Sequence, residues 1–194
     1  MSRFWQSFNT RYNVYFNASQ AYIEGDKAKE SAHKDNYTEL LPVFLVGNKS
    51  SQNTGKGSYE TAITKCQKAI SLHSIKRRPV VNAGKRKNAK MKAYLQRKEY
   101  NPFLKNAWLM MGRAQFQKGD FLEAAATFSY ITRLYAAEPV VANEARQWMA
   151  RCYVQEKWYY DAEDALKRVR RDTTNTLTKH EADATQAALL LGQE

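Results

Sequence analysis

This sequence of 194 residues is poor in cysteine, proline and glycine, with two, four and eight of them respectively. Two cysteines are too few for a disulfide framework or a thiolate metal site. Both Cys66 and Cys152 sit on apolar helix faces, which predicts buried thiols. No run of eighteen apolar residues occurs, so nothing predicts a membrane-spanning helix. The first residues lack the apolar stretch of a secretory signal, as a mature exported protein also would.

Acidic residues are scarce in one segment. The chain carries 31 Lys and Arg against 19 Asp and Glu, a formal charge of +12. Residues 76–100, the basic segment, hold ten basic side chains and a single acid, Glu99, and so account for +9 of that charge. The strong basicity is therefore a local feature. The ten basic residues are Lys76, Arg77, Arg78, Lys85, Arg86, Lys87, Lys90, Lys92, Arg97 and Lys98.

The basic segment admits three interpretations. A solvated insertion needs no partner. Clusters of Lys and Arg also bind anionic lipid headgroups, at about 1 kcal/mol each near the surface. Nucleic acid is the third partner to consider, because Tyr94 and Tyr100 are available to stack on bases among the charges. Against nucleic acid, the segment has no recognised DNA- or RNA-binding motif.

Large apolar side chains recur at helical spacing along most of the chain. Twelve Tyr, eight Phe and four Trp supply ample area for a core. Spacings of three, four and seven predict helices over about residues 4–29, 59–73, 102–118, 120–136, 139–156, 158–171 and 180–191. No stretch keeps the alternation of a strand over a useful length. We therefore predict an all-α fold.

Two helix pairs carry the same arrangement of residues 38 positions apart. Ala150 and Ala162 in the second pair take the places of Gly112 and Ala124 in the first. The first pair resembles the tetratricopeptide repeat (TPR), in which small residues let two helices cross closely and large ones fill the surrounding space. The resemblance implies a right-handed superhelix of antiparallel helix pairs. The matching residues of the first pair are Trp108, Met111, Gly112, Phe116, Gly119, Phe121, Ala124, Phe128 and Pro139.

On this pattern the chain divides into four parts. Residues 1–75 form a degenerate first repeat with residues 37–58 inserted as a loop, and residues 76–101 form a basic insertion. Residues 102–172 form two repeats, and residues 173–194 the first helix of a further, truncated one. Gly25 is predicted to take the turn role that Gly119 has in the next pair; alternatively, the helix continues to about His33. The apolar end of the last helix predicts that the array continues, because a true end is expected to be polar.

Three phrases extend the resemblance over about residues 3–171. They read RYNVYFN at 11–17, NYTELLPVF at 36–44 and AISLHSI at 69–75. Together they resemble the N-terminal region of large TPR lipoproteins of Bacteroidetes, among them gliding-motility and type IX secretion accessory proteins. The resemblance implies a lipid-anchored scaffold at the periplasmic face of the outer membrane, linked to secretion or envelope assembly. The alternative is a cytoplasmic repeat protein that contacts nucleic acid through its basic segment.

In such arrays the first helix of each repeat lines a concave groove. Arg113 and Arg151 then occupy the same place in successive repeats. Guanidinium groups bind carboxylates through two hydrogen bonds, so the pair is predicted to hold an acidic peptide or a C-terminal carboxylate. Alternatively, both are solvated and keep the groove soluble. The predicted groove residues are Asn106, Leu109, Arg113, Phe116, Gln117, Glu144, Gln147, Arg151, Val154 and Gln155.

Catalytic signals are weak. His33, His73 and His180 lack metal-binding spacing, and residues 55–58 lack the earlier glycine and the final Ser or Thr of a phosphate loop. The three acids within residues 161–164 lie at a predicted helix start, where acids favour the helix dipole. We predict no enzyme and no catalytic, cofactor, metal or small-molecule site. The expected partner is a protein or peptide in the groove, with an anionic membrane surface next and nucleic acid less favoured.

Overall fold

The computed structural model describes residues 3–35, 37–38, 41, 43–46, 53–82, 84, 88–172 and 175–193. Over these residues the secondary structure is helical and includes no strand, which confirms the all-α prediction. None of the helices in this part of the chain combines the length and the apolar character that crossing a bilayer requires.

The described chain begins with one long helical stretch. It consists of α1 (Arg3–Asn9), a π-helical segment (Thr10–Tyr15) and α2 (Phe16–Ala32). Wider turns of this kind insert a residue into a helix. Thr10 is fully buried, donates its hydroxyl to the Gln6 carbonyl at 2.6 Å and accepts from Asn101 Nδ2 at 3.2 Å. Thr10 thereby joins the π-helical segment to Asn101, which lies just before the helix that begins at Leu104.

The predicted turn role of Gly25 is wrong, and the alternative, in which the helix continues to about residue 33, is confirmed by the end of α2 at Ala32. Gly25 lies inside α2 and is buried. A Cβ built at this position would lie 2.7 Å from Cε1 of Tyr59, closer than side chains tolerate. Glycine is needed here for a neighbouring ring and not for a turn.

Seven further helices lie in the described part of the chain. Gly119 ends the helix Leu104–Lys118 in the left-handed conformation, φ 97°, which glycine adopts without strain. Pro139 opens a helix at a position where its missing N–H is not needed. The helices are α3 (Lys56–His73), α4 (Ala89–Leu95), α5 (Leu104–Lys118), α6 (Phe121–Leu134), α7 (Pro139–Gln155), α8 (Tyr159–Asp172) and α9 (Thr176–Gln193).

The long helices pack in chain order. α2 packs on α3, α3 on α5, and each of α5 to α8 on the helix that follows it. α7 also touches α5 on one side and α9 on the other. α5, α7 and α9 therefore lie side by side, with α7 in the middle.

Two of the helix crossings use the same packing device. A Cβ at Gly112 would lie 2.7 Å from the ring of Phe128, and a Cβ at Gly25 the same distance from that of Tyr59. Both rings are fully buried. The Tyr59 hydroxyl donates to Asp26 Oδ1 at 2.7 Å, and burial raises the pKa of Tyr59 well above its usual value. An aromatic side chain on the second helix thus covers a glycine on the first in both the α2–α3 and the α5–α6 pairs.

The two cysteines lie in the core, as their apolar surroundings predicted. Cys66 and Cys152 are both fully buried and free. Burial raises the pKa of the Cys66 thiol to about 12 and also raises that of Cys152. Both stay protonated at neutral pH, so neither is an activated nucleophile.

Candidate functional site

The predicted groove residues lie on α5 and α7 at two depths. Asn106, Arg113, Gln117, Glu144 and Gln155 are half-buried. Leu109, Phe116, Gln147, Arg151 and Val154 are buried. The groove, as we call the surface formed by these ten residues, is therefore partly covered by other parts of the chain.

Trp148 brings the two predicted arginines together. The guanidinium carbon of Arg113 lies 5.3 Å from the centroid of the Trp148 ring, and that of Arg151 lies 4.3 Å from it. A cation near an indole face is attracted by the electron density of the ring. Trp148 is itself buried and packs against Phe116 and Phe128, with ring centroids 5.5 and 6.0 Å away. Both arginines are thus held on one rigid ring.

The two arginines differ in their charge partners. Arg113 forms an ion pair with Glu144 across α5 and α7. Arg151 is only 8% exposed and forms no ion pair with any described residue. Burial lowers the pKa of Arg151, an effect that the Glu181 carboxylate partly opposes. Because a desolvated charge needs a counter-charge, Arg151 is the group in the groove best placed to accept one.

α9 fixes the orientation of the buried polar side chains on α7. Gln147 Nε2 donates to the hydroxyl of Thr185 at 3.0 Å and to the carbonyl of Glu181 at 3.2 Å. Nε of Arg151 donates to the same hydroxyl at 3.2 Å. One turn of α9 therefore holds both side chains.

Three polar atoms in the groove are buried without a hydrogen-bond partner among the described residues. They are Nε of Arg113, Oε1 of Gln147 and Nε1 of Trp148. Buried polar atoms are nearly always paired, so a cluster of unpaired ones calls for an explanation. Two donors and an acceptor around one ring are suited to a ligand that brings its own polar groups.

Residues 43–46 lie against the groove. The ring of Phe44 lies 4.5 Å from the guanidinium carbon of Arg151. Val46 is 6% exposed and belongs to the same core cluster as Phe116 and Trp148. Positions 43 and 45 are 40% and 37% exposed. Phe44 and Val46 thus face the groove, whereas Val43 and Leu45 are more exposed and border the pocket beside it.

A pocket of about 220 Å³ lies beside residues 43–46. Asp26, Lys29 and Glu30 of α2 line one side, and Arg151 lines another. Lys29 Nζ donates to the main-chain carbonyl of Gln117, and burial lowers the pKa of Lys29 to about 8. The pocket therefore offers charges of both signs.

Sequence reasoning missed Trp148, Phe44, Lys29 and Thr185. A signal for Trp148 exists, since it stands three positions before Arg151 and so on the same side of α7. The others have no local signal. The hydrogen bond from Lys29 to Gln117, for example, spans 88 positions.

The basic segment leaves and rejoins the helical body at one point. The Tyr100 N–H donates to the Ile75 carbonyl at 2.9 Å. Glu99, its only acid, is 3% exposed and accepts the Ser74 hydroxyl at 2.6 Å. The same carboxylate accepts the N–H groups of Ile75 and Asn101, both at 2.8 Å. Glu99 thus ties the two ends of the segment together.

Most basic side chains of this segment face solvent. Arg97 is half-buried and pairs with Glu138 at 3.4 Å. Tyr100 is 4% exposed and packs edge-on against Tyr94 at 5.4 Å, so its ring is withdrawn from stacking on a base. The exposed residues are Lys76, Arg77, Arg78, Lys90, Lys92 and Lys98. Lys85, Arg86 and Lys87 lie outside the described residues.

The groups that bear on catalysis are dispersed. Among the residues that the structure describes, no three His, Cys, Asp or Glu side chains are grouped so as to hold a metal ion. Two of the acids at the start of α8, Glu163 and Asp164, pair with Lys167 and Arg168 one turn later, at 3.0 and 2.9 Å. These acids belong to surface ion pairs.

Comparison with known proteins adds no assignment. No protein-family model matches the chain, and a search of curated proteins gives no match either.

Proposed function

We propose that this protein is a non-enzymatic TPR scaffold that binds a protein or peptide partner in the groove between α5 and α7. Arg151 carries the proposal. It is a buried cation that lies over Trp148 and lacks a carboxylate partner among the described residues. A partner's carboxylate would pair with it through charged hydrogen bonds, which are strong where water is scarce.

Support for the repeat class comes from helix order and from the crossings. Long helices that pack in chain order are the arrangement expected of stacked repeats, in which each unit contacts only its neighbours. The glycine and aromatic pairs Gly25–Tyr59 and Gly112–Phe128 are what two equivalent repeats would share. In the α7–α8 pair Ala150 and Leu166, both fully buried, stand at the corresponding places.

The proposed setting is the periplasmic face of the outer membrane, where a lipid anchor would hold the full-length protein. Its support is the resemblance of residues 11–17, 36–44 and 69–75 to Bacteroidetes TPR lipoproteins, which also suggests a role in secretion or envelope assembly. Exposed lysines and arginines of the basic segment suit an anionic membrane surface. Burial of Tyr100 weakens the alternative of a cytoplasmic nucleic-acid-binding protein.

Affinity capture from a native envelope fraction tests the proposal. The wild-type chain is compared with R151Q and with a matched control, R168Q, which removes an exposed arginine on α8. We expect wild type and R168Q to retain the same partner and R151Q to bind that purified partner more than about tenfold more weakly. Equal affinity of all three proteins would refute the groove as the binding surface.

A further inference from the structure

We propose that residues 43–46 occupy the groove as an internal ligand, and that the partner segment recognised there presents the same pattern together with a carboxylate. The pattern is an aromatic side chain followed two positions later by a branched aliphatic one. This inference rests on the proposed function, because it names the kind of segment that the groove takes.

The first anchor of the internal ligand is Phe44. Its ring lies 4.5 Å from the guanidinium carbon of Arg151, which lies 4.3 Å from the Trp148 ring centroid. The guanidinium group therefore has an aromatic ring on Trp148 and a second on Phe44 within cation–π distance. A partner's aromatic side chain would take the place of Phe44.

The second anchor is Val46. It is 6% exposed and packs in the core cluster that includes Leu109, Phe116 and Trp148. Burying a valine side chain contributes through the hydrophobic effect, without directional demands. A branched aliphatic side chain two positions after the aromatic one would reach the same place when the partner follows the backbone path of residues 43–46.

The internal ligand leaves part of the groove unused. The pocket of about 220 Å³ lies beside it and is lined by Lys29, Gln117 and Arg151, with the acids Asp26 and Glu30 of α2 on one side, so a partner's carboxylate has its place at the Arg151 side. Residues 43–46 contain no acid, so they supply no counter-charge to Arg151. A partner segment with a carboxylate next to the aromatic–aliphatic pair would add what the internal ligand lacks.

Tethering gives the internal ligand a high local concentration, on the order of millimolar for a short connection. A free segment with only the two apolar anchors would have to compete against that concentration. A segment that also pairs with Arg151 would have an additional interaction. The internal ligand thus selects for acidic partners and keeps the apolar groove covered in their absence.

Two synthetic peptides test the inference on the full chain. One has the sequence LPVFLVG of residues 41–47, and the other is the same peptide extended by two aspartates. Binding is measured by fluorescence anisotropy to wild type, F44A and a matched control, L45A, which trims an exposed neighbour. Thermal melts establish that each variant is folded.

We expect F44A to bind the first peptide about tenfold more tightly than wild type or L45A do, because the competing ring is gone. The acidic peptide should bind wild type more tightly than the first peptide does, and R151Q should remove that advantage. Equal binding of the first peptide by wild type, L45A and F44A would overturn the inference, and so would an acidic peptide with no advantage.

The envelope partner separates this inference from the proposed function. If R151Q loses the partner while F44A changes neither peptide nor partner binding, the internal ligand is wrong and the scaffold function stands. If F44A binds the peptide more tightly while R151Q still binds the envelope partner, the groove does take the internal ligand. The proposed role of Arg151 in binding the partner is then wrong.

Discussion

The groove and the basic segment both carry arginine but in opposite surroundings. Arg151 in the groove is 8% exposed and lies against two aromatic rings. Arg77 and Arg78 in the basic segment are exposed. Charges in water are screened within about 10 Å, whereas desolvated charges act strongly on a nearby partner. Most of the net charge therefore lies on exposed side chains, where solvent screens its effect on a partner most strongly.

Within the basic segment, Glu99 is the exception, because this charged residue is buried. The one acid among ten basic residues is buried and accepts hydrogen bonds from three groups, while its basic neighbour Lys98 is exposed. In both regions the environment of a charge, and not the number of charges, decides its role.

The largest effect is expected for Glu99→Ala. This change leaves the Ser74 hydroxyl and the N–H groups of Ile75 and Asn101 without their acceptor. Unsatisfied buried donors are costly, so we expect a loss of about 3 kcal/mol in the free energy of unfolding. Urea denaturation of the variant and of Lys98→Ala measures this, and Lys98→Ala should stay within about 0.5 kcal/mol of wild type. Equal stability of the two variants would mean that Glu99 does not hold the segment in place.

Glu144→Gln comes next. It leaves the half-buried Arg113 without its carboxylate, and we expect a loss of about 1.5 kcal/mol. Glu163→Gln, which removes the acid of an exposed ion pair on α8, is the matched control and should cost about 0.3–0.5 kcal/mol. A loss of stability in Glu163→Gln that equals or exceeds the loss in Glu144→Gln would break the contrast between buried and exposed pairs.

Arg151→Met is expected to change stability in the opposite direction. Methionine fills similar space without a buried charge, and replacing such a charge with an apolar side chain is often neutral or stabilising. We expect a gain of about 1 kcal/mol together with loss of partner binding. Arg78→Met should stay within about 0.5 kcal/mol of wild type. A loss of more than about 2 kcal/mol in Arg151→Met would show that Arg151 is chiefly structural.

The smallest effect concerns pH. The pKa of Lys29 is about 8 in the folded protein and about 10.5 when exposed, so the unfolded chain binds more protons between these values. Wild type should therefore gain stability relative to Lys29→Met as the pH rises from 7.5 to 9.5. We expect this gain in the free energy of unfolding to be less than about 1 kcal/mol. The hydrogen bond from Lys29 to Gln117 favours the charged form of Lys29 and so reduces the gain.

Lys27→Met is the control for this pH effect. Lys27 is exposed on the same helix, so its replacement removes a lysine without touching the buried site. The difference between each variant and wild type is taken at each pH, so that the titration of tyrosines and cysteines cancels. A constant difference for Lys29→Met would contradict the account of a desolvated Lys29.

Helical periodicity predicted the all-α fold and the approximate bounds of the long helices, because apolar spacing is written locally in the sequence. The same spacing and the offset of 38 positions put Arg113 and Arg151 at equivalent places. Both lie on Trp148 in the structure. Local patterns thus placed the two predicted arginines on helices that lie against each other.

Contacts between distant parts of the chain could not be predicted from these local patterns. Gly25 was assigned to a turn because glycine often ends helices, but the ring that requires it belongs to Tyr59 on the next helix. The position of Phe44 over Arg151 depends on the path of residues 43–46, which no periodicity encodes. Burial of Glu99 likewise depends on the meeting of two chain ends in space.

Site-specific photo-cross-linking in the native envelope tests the central claim most directly. Benzoylphenylalanine is placed at Gln155, a half-buried residue of the groove, or at Val80, which is 91% exposed in the basic segment. The account predicts a protein cross-link from position 155 and none from position 80. A protein that cross-links from position 80 and not from position 155 would contradict it.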